Sequence, residues 1–243
     1  MPPRKSKKII EEDMDGSGVK NYYKQIPEEM LDTAENPNFH LTHIYLPFRM
    51  CIVSASGGGK TNFLCELIHR WSEGNGTFSS ITIITKNKDE AIYKWLASKS
   101  DQIRIVEGLH NTPKLDDMDK KTNSLCVWDD LVLSKDLSSV ENYFIRARKM
   151  NCSCIFISQS YFLIPAIIRK NITYLVLLKL NGKRDINAIM SEAGIGVSKD
   201  ALVKIYQYAT SVRMCPLLLD LEAPPEQRFR RGILEVINPN EYE

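Results

Sequence analysis

The run Ser54-Ala55-Ser56-Gly57-Gly58-Gly59-Lys60-Thr61 places three consecutive glycines ahead of a lysine and a hydroxyl. Glycines let backbone N–H groups turn inward around an anion, because no side chain blocks the approach. A lysine closing such a turn reaches the β- and γ-phosphates of ATP, and the next threonine hydroxyl can ligate Mg2+. The expected nucleotide contacts are Ser54, Ala55, Ser56, Gly57, Gly58, Gly59, Lys60, Thr61 and Asn62, a Walker A loop. A strict pattern has glycine where this chain has Ser54, so the tight turn falls to the three later glycines.

A hydrolytic site also needs a carboxylate at the end of a neighbouring strand. Leu125-Cys126-Val127-Trp128-Asp129-Asp130 has the Walker B form, four apolar residues and then two acids. Asp129 is the expected holder of Mg2+ through water, with Thr61 as the second metal residue. Asp130 is the expected residue that orients or deprotonates the attacking water. It is one methylene shorter than the glutamate used by many such enzymes, which leaves its reach for the structure to decide. The spacing of 69 from Lys60 to Asp129 leaves room for two strand–helix units.

Cys154-Ile155-Phe156-Ile157-Ser158-Gln159 reads as a buried strand closing on a polar side chain. Gln159 at that end is expected between the two Walker elements, able to donate to a γ-phosphate oxygen and accept from the lytic water. Phosphoryl transfer is often aided by an arginine from an adjoining subunit, worth about 10³–10⁵ in rate at best. Arg146 and Arg148 are the leading candidates, with Arg169 as the alternative.

The elements that must position these residues follow from hydrophobic patterning. Short runs at 50–54, 81–85, 103–106, 125–128, 154–158, 174–179 and 215–221 are apolar throughout, as in parallel strands buried on both faces. After Thr61, Phe63, Leu64, Leu67, Ile68 and Trp71 form one helical face. Further helices are expected near 88–98, 136–150, 184–193 and 198–209. Alternation of strand and helix predicts an α/β fold, a mainly parallel central sheet covered by helices on both faces. Right-handed crossovers then align the carboxyl ends of the strands along one ligand-binding edge.

The 243 residues carry a net charge of +2, with 43% hydrophobic and 26% charged side chains. Such a near-balanced composition describes an ordinary globular protein and does not announce a nucleic-acid binder. No apolar run approaches the roughly 20 residues needed to cross a bilayer. The basic start Met1-Pro2-Pro3-Arg4-Lys5 lacks the apolar stretch of a secretory signal. Five of the six cysteines sit in or beside strand-like runs, as small buried hydrophobes do in a reducing compartment. Cys152-x-Cys154 stands alone, without the second ligand pair that zinc requires. The expected organisation is a charged flexible tail at 1–20, a docking segment at 21–39, an ATPase domain at 40–235 and a C-terminal tail at 236–243.

In order along the chain, Ser-x-x-Gly-Gly-Gly-Lys-Thr, Trp-Asp-Asp, Phe-Ile-Arg-Ala-Arg-Lys and Ser-Gln-Ser-Tyr-Phe-Leu-Ile-Pro-Ala-Ile-Ile-Arg-Lys-Asn resemble the poxvirus-type DNA packaging ATPases of the FtsK–HerA clade. The stretch from Gln159 to Asn171 is the most specific part. The resemblance spans about 40–235 and includes Arg228-Phe229-Arg230-Arg231 near its end. It implies a RecA-like core working as a homo-oligomeric ring, pentamer or hexamer, at a viral capsid vertex. Such a ring would drive double-stranded DNA into a preformed shell, in the infected cell's cytoplasm at the virus factory, with the virion as a second location. Basic loops would meet backbone phosphates, with Lys149, Arg169, Lys170, Lys183 and Arg184 as contributors. Rival readings are another DNA-stimulated motor (a helicase, or a conjugation or segregation pump), a small-molecule P-loop kinase and a capsid protein with a vestigial nucleotide site. A Walker B Asp-Asp and a sensor glutamine suit water as acceptor better than a metabolite.

Overall fold

A computed structural model describes residues 22–27, 35–134, 136–180, 182–192 and 195–243. The chain divides into two units, Met1–Thr33 and Ala34–Glu243. In the first, the described residues form a 3-10 turn, Tyr22–Gln25; the charged tail expected at 1–20 lies outside the described residues. The docking segment expected at 21–39 divides between the units. Its last residues are built into the second, where Asn38 Nδ2 donates to Trp71 O, Glu73 O and Thr77 Oγ1, each at 3.1 Å.

The second unit holds a nine-stranded sheet among the described residues. Its strands are β1 (Arg49–Val53), β2 (Ser80–Thr85), β3 (Ile103–Glu107), β4 (Ser124–Asp129), β5 (Cys152–Ser158), β6 (Tyr174–Leu177), β7 (Leu217–Asp220), β8 (Phe229–Arg231) and β9 (Glu235–Ile237). They run in the order β3-β2-β4-β5-β1-β6-β7-β8-β9. The six from β3 to β6 are parallel. The helices are α1 (Phe39–Thr42), α2 (Lys60–Trp71), α3 (Ala91–Ala97), α4 (Ser138–Arg146), α5 (Ala166–Arg169), α6 (Lys183–Glu192) and α7 (Lys199–Ala209).

Side chains alternate across each strand, so two apolar layers form. On one face Met50, Ile52, Val127, Ile155 and Ile157 pack with Phe63, Leu64 and Leu67 of α2 and with Tyr93 and Leu96 of α3. On the other, Cys51, Val53, Trp128, Cys154 and Phe156 pack with Val140 and Phe144 of α4 and with Leu202 and Ile205 of α7. Cover on both sides is why all seven residues of β5 are buried. Cys51, Cys126, Cys152 and Cys154 belong to the second of these layers, as free buried thiols.

Two expectations are corrected here. The strand near 215–221 is antiparallel to β6, not parallel. Two helices, α6 and α7, lie between β6 and β7; the pair returns the chain to the end it left, so the next strand must run back. Residues 236–243 are not a tail. Val236 and Ile237 pair with β8, Pro239–Glu241 forms a 3-10 turn, and Lys204 Nζ donates to Tyr242 O at 3.0 Å. A three-residue strand is too short for period-two patterning to announce it.

Candidate active site

The carboxyl ends of β4, β5 and β1 lie side by side, with Asp129 opposite Ile157 and Ser158 opposite Val53. Residues that leave these three strands therefore share one edge. They are Asp130 after β4, Gln159 after β5 and Ser54 after β1. The expected placement of Gln159 between the two Walker elements holds in the strand order, since β5 separates β1 from β4.

The loop from Ser54 to Gly59 is anchored from below. Ser54 N donates to Ser158 O at 3.1 Å and Ala55 N to Lys179 O at 2.7 Å, which ties the turn to the strands on either side. Gly59 begins α2 with φ 100, left-handed backbone that a glycine adopts without strain. A Cβ at Gly59 would also stand 2.9 Å from Met214 Cγ. The first turn of α2 has no acidic residue, so the positive end of the helix faces the loop uncompensated. Asn62 is exposed on that turn.

Ser54 occupies the place where the strict motif has glycine, and the loop accommodates it through Gly58. The Ser54 side chain is fully buried and its Oγ donates to Lys179 O at 3.1 Å. A Cβ on Gly58 would fall 1.9 Å from that Oγ and 3.0 Å from Ala55 O. Serine at 54 thus requires glycine at 58. Gly58→Ala is expected to weaken binding of a fluorescent ATP analogue by roughly 10-fold or more, the size of a 1–3 kcal/mol overpacking penalty. Adding Ser54→Gly removes the colliding atom and restores most of the affinity. A double variant as weak as Gly58→Ala alone would disprove the steric link.

Lys60 Nζ donates to Ser54 O at 3.0 Å and to Ala55 O at 3.3 Å, so the ammonium lies over the loop. Burial lowers its pKa, while the charges of Asp129 and Asp130 act the other way. Asp129 is buried, and burial raises its carboxyl pKa against the pull of Tyr93 and Lys60. Tyr93 of α3 donates from its hydroxyl to Asp129 Oδ2. Sequence reasoning missed this tyrosine. In the sequence it is one apolar-face residue of a helix, 36 positions from its partner.

Asp130 is exposed and sits just past β4 with φ 55. Asp and Asn enter this left-handed region more readily than other residues with a side chain. The conformation turns the carboxylate toward β5, where Gln159 Nε2 donates to Asp130 Oδ1 at 3.3 Å. The turn after Gln159 is pinned by a second missed residue. Asp185 of α6, buried, accepts from Ser160 Oγ at 2.7 Å and from Phe162 N at 3.1 Å.

The arginines separate by position. Arg146 ends α4 and pairs with Asp116 at 3.6 Å, both exposed. Arg148 lies in the turn before β5 and lines a cleft with Arg49, Thr173 and Glu222. Both belong to the amino edge of the sheet, and β5 alone spans about 23 Å at 3.3 Å per residue. Neither is brought to the phosphate loop of its own chain. Arg169 is already engaged. It makes two bonds to the Glu192 carboxylate, at 2.7 and 2.9 Å, and donates to Phe162 O and Ile164 O. That uses four of the five donors of a guanidinium in bracing its own loop. Among the other basic residues considered for DNA, Lys149 precedes β5, Lys170 ends α5 and Arg184 stacks on Phe162 at 3.7 Å; the Lys183 side chain lies outside the described residues.

A mostly parallel sheet with a glycine-rich loop between β1 and α2, and a carboxylate pair two strands away, defines a P-loop NTPase. The family described as Poxvirus A32 protein matches residues 39–214. The chain belongs to the poxvirus A32 protein family, the DNA packaging ATPases that its motif order resembles. No curated protein sequence matches it.

Solved structures extend the likeness of fold. B204, the DNA-packaging ATPase from Sulfolobus turreted icosahedral virus, superposes with a TM-score of 0.54 at 14% identity, covering 77% of this chain and 94% of B204. B204 from Sulfolobus turreted icosahedral virus 2, in complex with ATP-gammaS, gives 0.53 at 11% identity, covering 72% and 93%. ATPases 2 and 3 of EssC from Geobacillus thermodenitrificans give 0.52 at 9% identity, covering 79% of this chain and 40% of that one.

Proposed function

We propose that this chain hydrolyses ATP to drive double-stranded DNA into a preformed viral shell, as a homo-oligomeric ring at a capsid vertex. The observation that carries the hydrolytic part is the pairing of Gln159 with Asp130 at an exposed edge beside the phosphate loop. An exposed carboxylate and an amide there suit water as the acceptor. The packaging part rests on the family.

Lys60 and the backbone from Ser54 to Gly59 hold the phosphates. Asp130 takes the proton of the attacking water, and Gln159 orients that water through its carbonyl oxygen. Thr61 and Asp129 fit Mg2+ as hard oxygen donors, one directly after Lys60 at the start of α2 and the other at the carboxyl end of β4. The ion would supply charge neutralisation of the β- and γ-phosphate oxygens. Arg146 and Arg148, at the far edge of their own sheet, serve the site of a neighbouring copy. The basic residues Lys149, Lys170 and Arg184 meet backbone phosphates in the channel. Among the described residues no helix is long and apolar enough to cross a membrane; the working location is the virus factory of the infected cell.

The test is ATP turnover with and without duplex DNA, in mixtures of parent and Arg146→Ala chains. Turnover should rise with duplex, and activity should fall faster than the variant fraction as an arginine missing from one copy silences its neighbour. A linear fall would remove Arg146 from that role. Unwinding of a tailed duplex would replace packaging with a helicase reading.

A further inference from the structure

We infer that Tyr93 is a positioning residue for the metal-holding carboxylate, coupling α3, a helix without a recognised motif, to the Mg2+ site. The inference rests on the nucleotide-site reading above and adds to it a residue outside both Walker elements. Tyr93 is 1% exposed and its ring belongs to the layer that packs α2 and α3 on the sheet. Its one side-chain polar atom points out of that layer. The hydroxyl donates to Asp129 Oδ2, on a residue assigned to the metal. Among the described residues, Tyr93 is the one side chain that hydrogen-bonds the Asp129 carboxylate.

The physical need is orientational. A carboxylate rotates broadly about its last torsion, so an unrestrained Asp129 offers its two oxygens interchangeably. Donation to Oδ2 from a ring clamped in the core fixes the carboxylate plane and leaves Oδ1 for the metal side. Partners of this outer kind orient metal ligands, and their loss costs about 10–100-fold in metal affinity. The ring shares its apolar layer with Phe63 and Leu64 of α2, so one rigid group registers α2 against the end of β4. These two elements come from strands separated by β5.

Tyr93→Phe keeps the ring and removes the one oxygen. The full-length chain is titrated with a fluorescent ATP analogue in EDTA and then across a range of Mg2+. Mn2+ bound to the protein–ATP complex is counted separately by electron paramagnetic resonance. Expected are an unchanged affinity in EDTA and a shift of the Mg2+ midpoint to about 10-fold higher concentration, mirrored by weaker Mn2+ binding. In an Asp129→Asn background the same substitution should shift nothing further.

An unchanged Mg2+ midpoint, or equal shifts in both backgrounds, would reduce Tyr93 to a core tyrosine with a satisfied hydroxyl. If the variant melts too low for titration, Tyr93→Met, which fills the same apolar layer without a hydroxyl, takes its place with the same expected shift. Equal Mn2+ affinity in the parent and in Asp129→Asn would overturn the assignment of Asp129, and Tyr93 with it. A parent chain that binds no nucleotide at all would instead bring down the underlying site reading.

Discussion

Asp130→Asn will bind ATP as tightly as the parent chain and turn it over about 100-fold or more slowly, the range general-base catalysis supplies. The substitution isolates chemistry from structure for two reasons. Asp130 has φ 55, and asparagine adopts that left-handed conformation as readily as aspartate, so the backbone bears no new strain. The amide oxygen of asparagine can still accept from Gln159 Nε2, so the side-chain contact at 3.3 Å persists. What disappears is a basic oxygen able to take a proton from water. Asp130→Ala is the less informative choice, because alanine tolerates positive φ poorly and would confound turnover with folding. Stopped-flow nucleotide binding alongside steady-state phosphate release makes the separation. Parental turnover in Asp130→Asn would move the base elsewhere, and weakened binding would show that the acid shapes the loop. The same measurement decides whether a side chain one methylene shorter than glutamate reaches the water.

Lys60→Ala should lose binding and turnover together, which sets it apart from Asp130→Asn. The ammonium is a charged donor laid over the loop, and charge-assisted hydrogen bonds are each worth about 1.5–3 kcal/mol. Affinity should therefore fall by roughly 10- to 100-fold, with turnover falling further as charge grows on the γ-phosphate in the transition state. The geometry explains how the lysine waits near its task. Ser54 O and Ala55 O hold Nζ, and Asp129 and Asp130 favour its charged form while burial opposes it. A phosphate exchanges for two carbonyl acceptors at the same place. Calorimetric titration with a non-hydrolysable ATP analogue reads the binding loss. An affinity equal to the parent's would mean that backbone N–H groups hold the phosphates unaided.

Much of this site was legible in the primary structure because its chemistry is local. A phosphate loop is made by neighbouring backbone groups, so Gly57-Gly58-Gly59-Lys60-Thr61 writes it out in order. Strands buried on both faces announce themselves as apolar runs, and Asp130 just past β4 and Gln159 just past β5 mark where those runs reach water. Alternation of such runs with helical faces is enough for an α/β class with a mainly parallel sheet.

Tertiary structure decided everything that depends on a partner far along the chain. Ser54 looked like a departure from pattern until its Oγ was found in the space that Gly58 leaves open. Arg169 resembled a free cation until Glu192 and two carbonyls engaged it, and Arg146 and Arg148 fell at the edge remote from their own loop. The reversal at β7 and the pairing of β9 follow from how two helices return the chain and from strand pairing, neither of which leaves a periodic mark in so short a segment. Tyr93 is the clearest case. Hydrophobic spacing could place its ring in the core, while the direction of its hydroxyl was settled only when α3 packed beside the end of β4, because a hydrogen bond between distant residues is encoded by the fold and not by either neighbourhood.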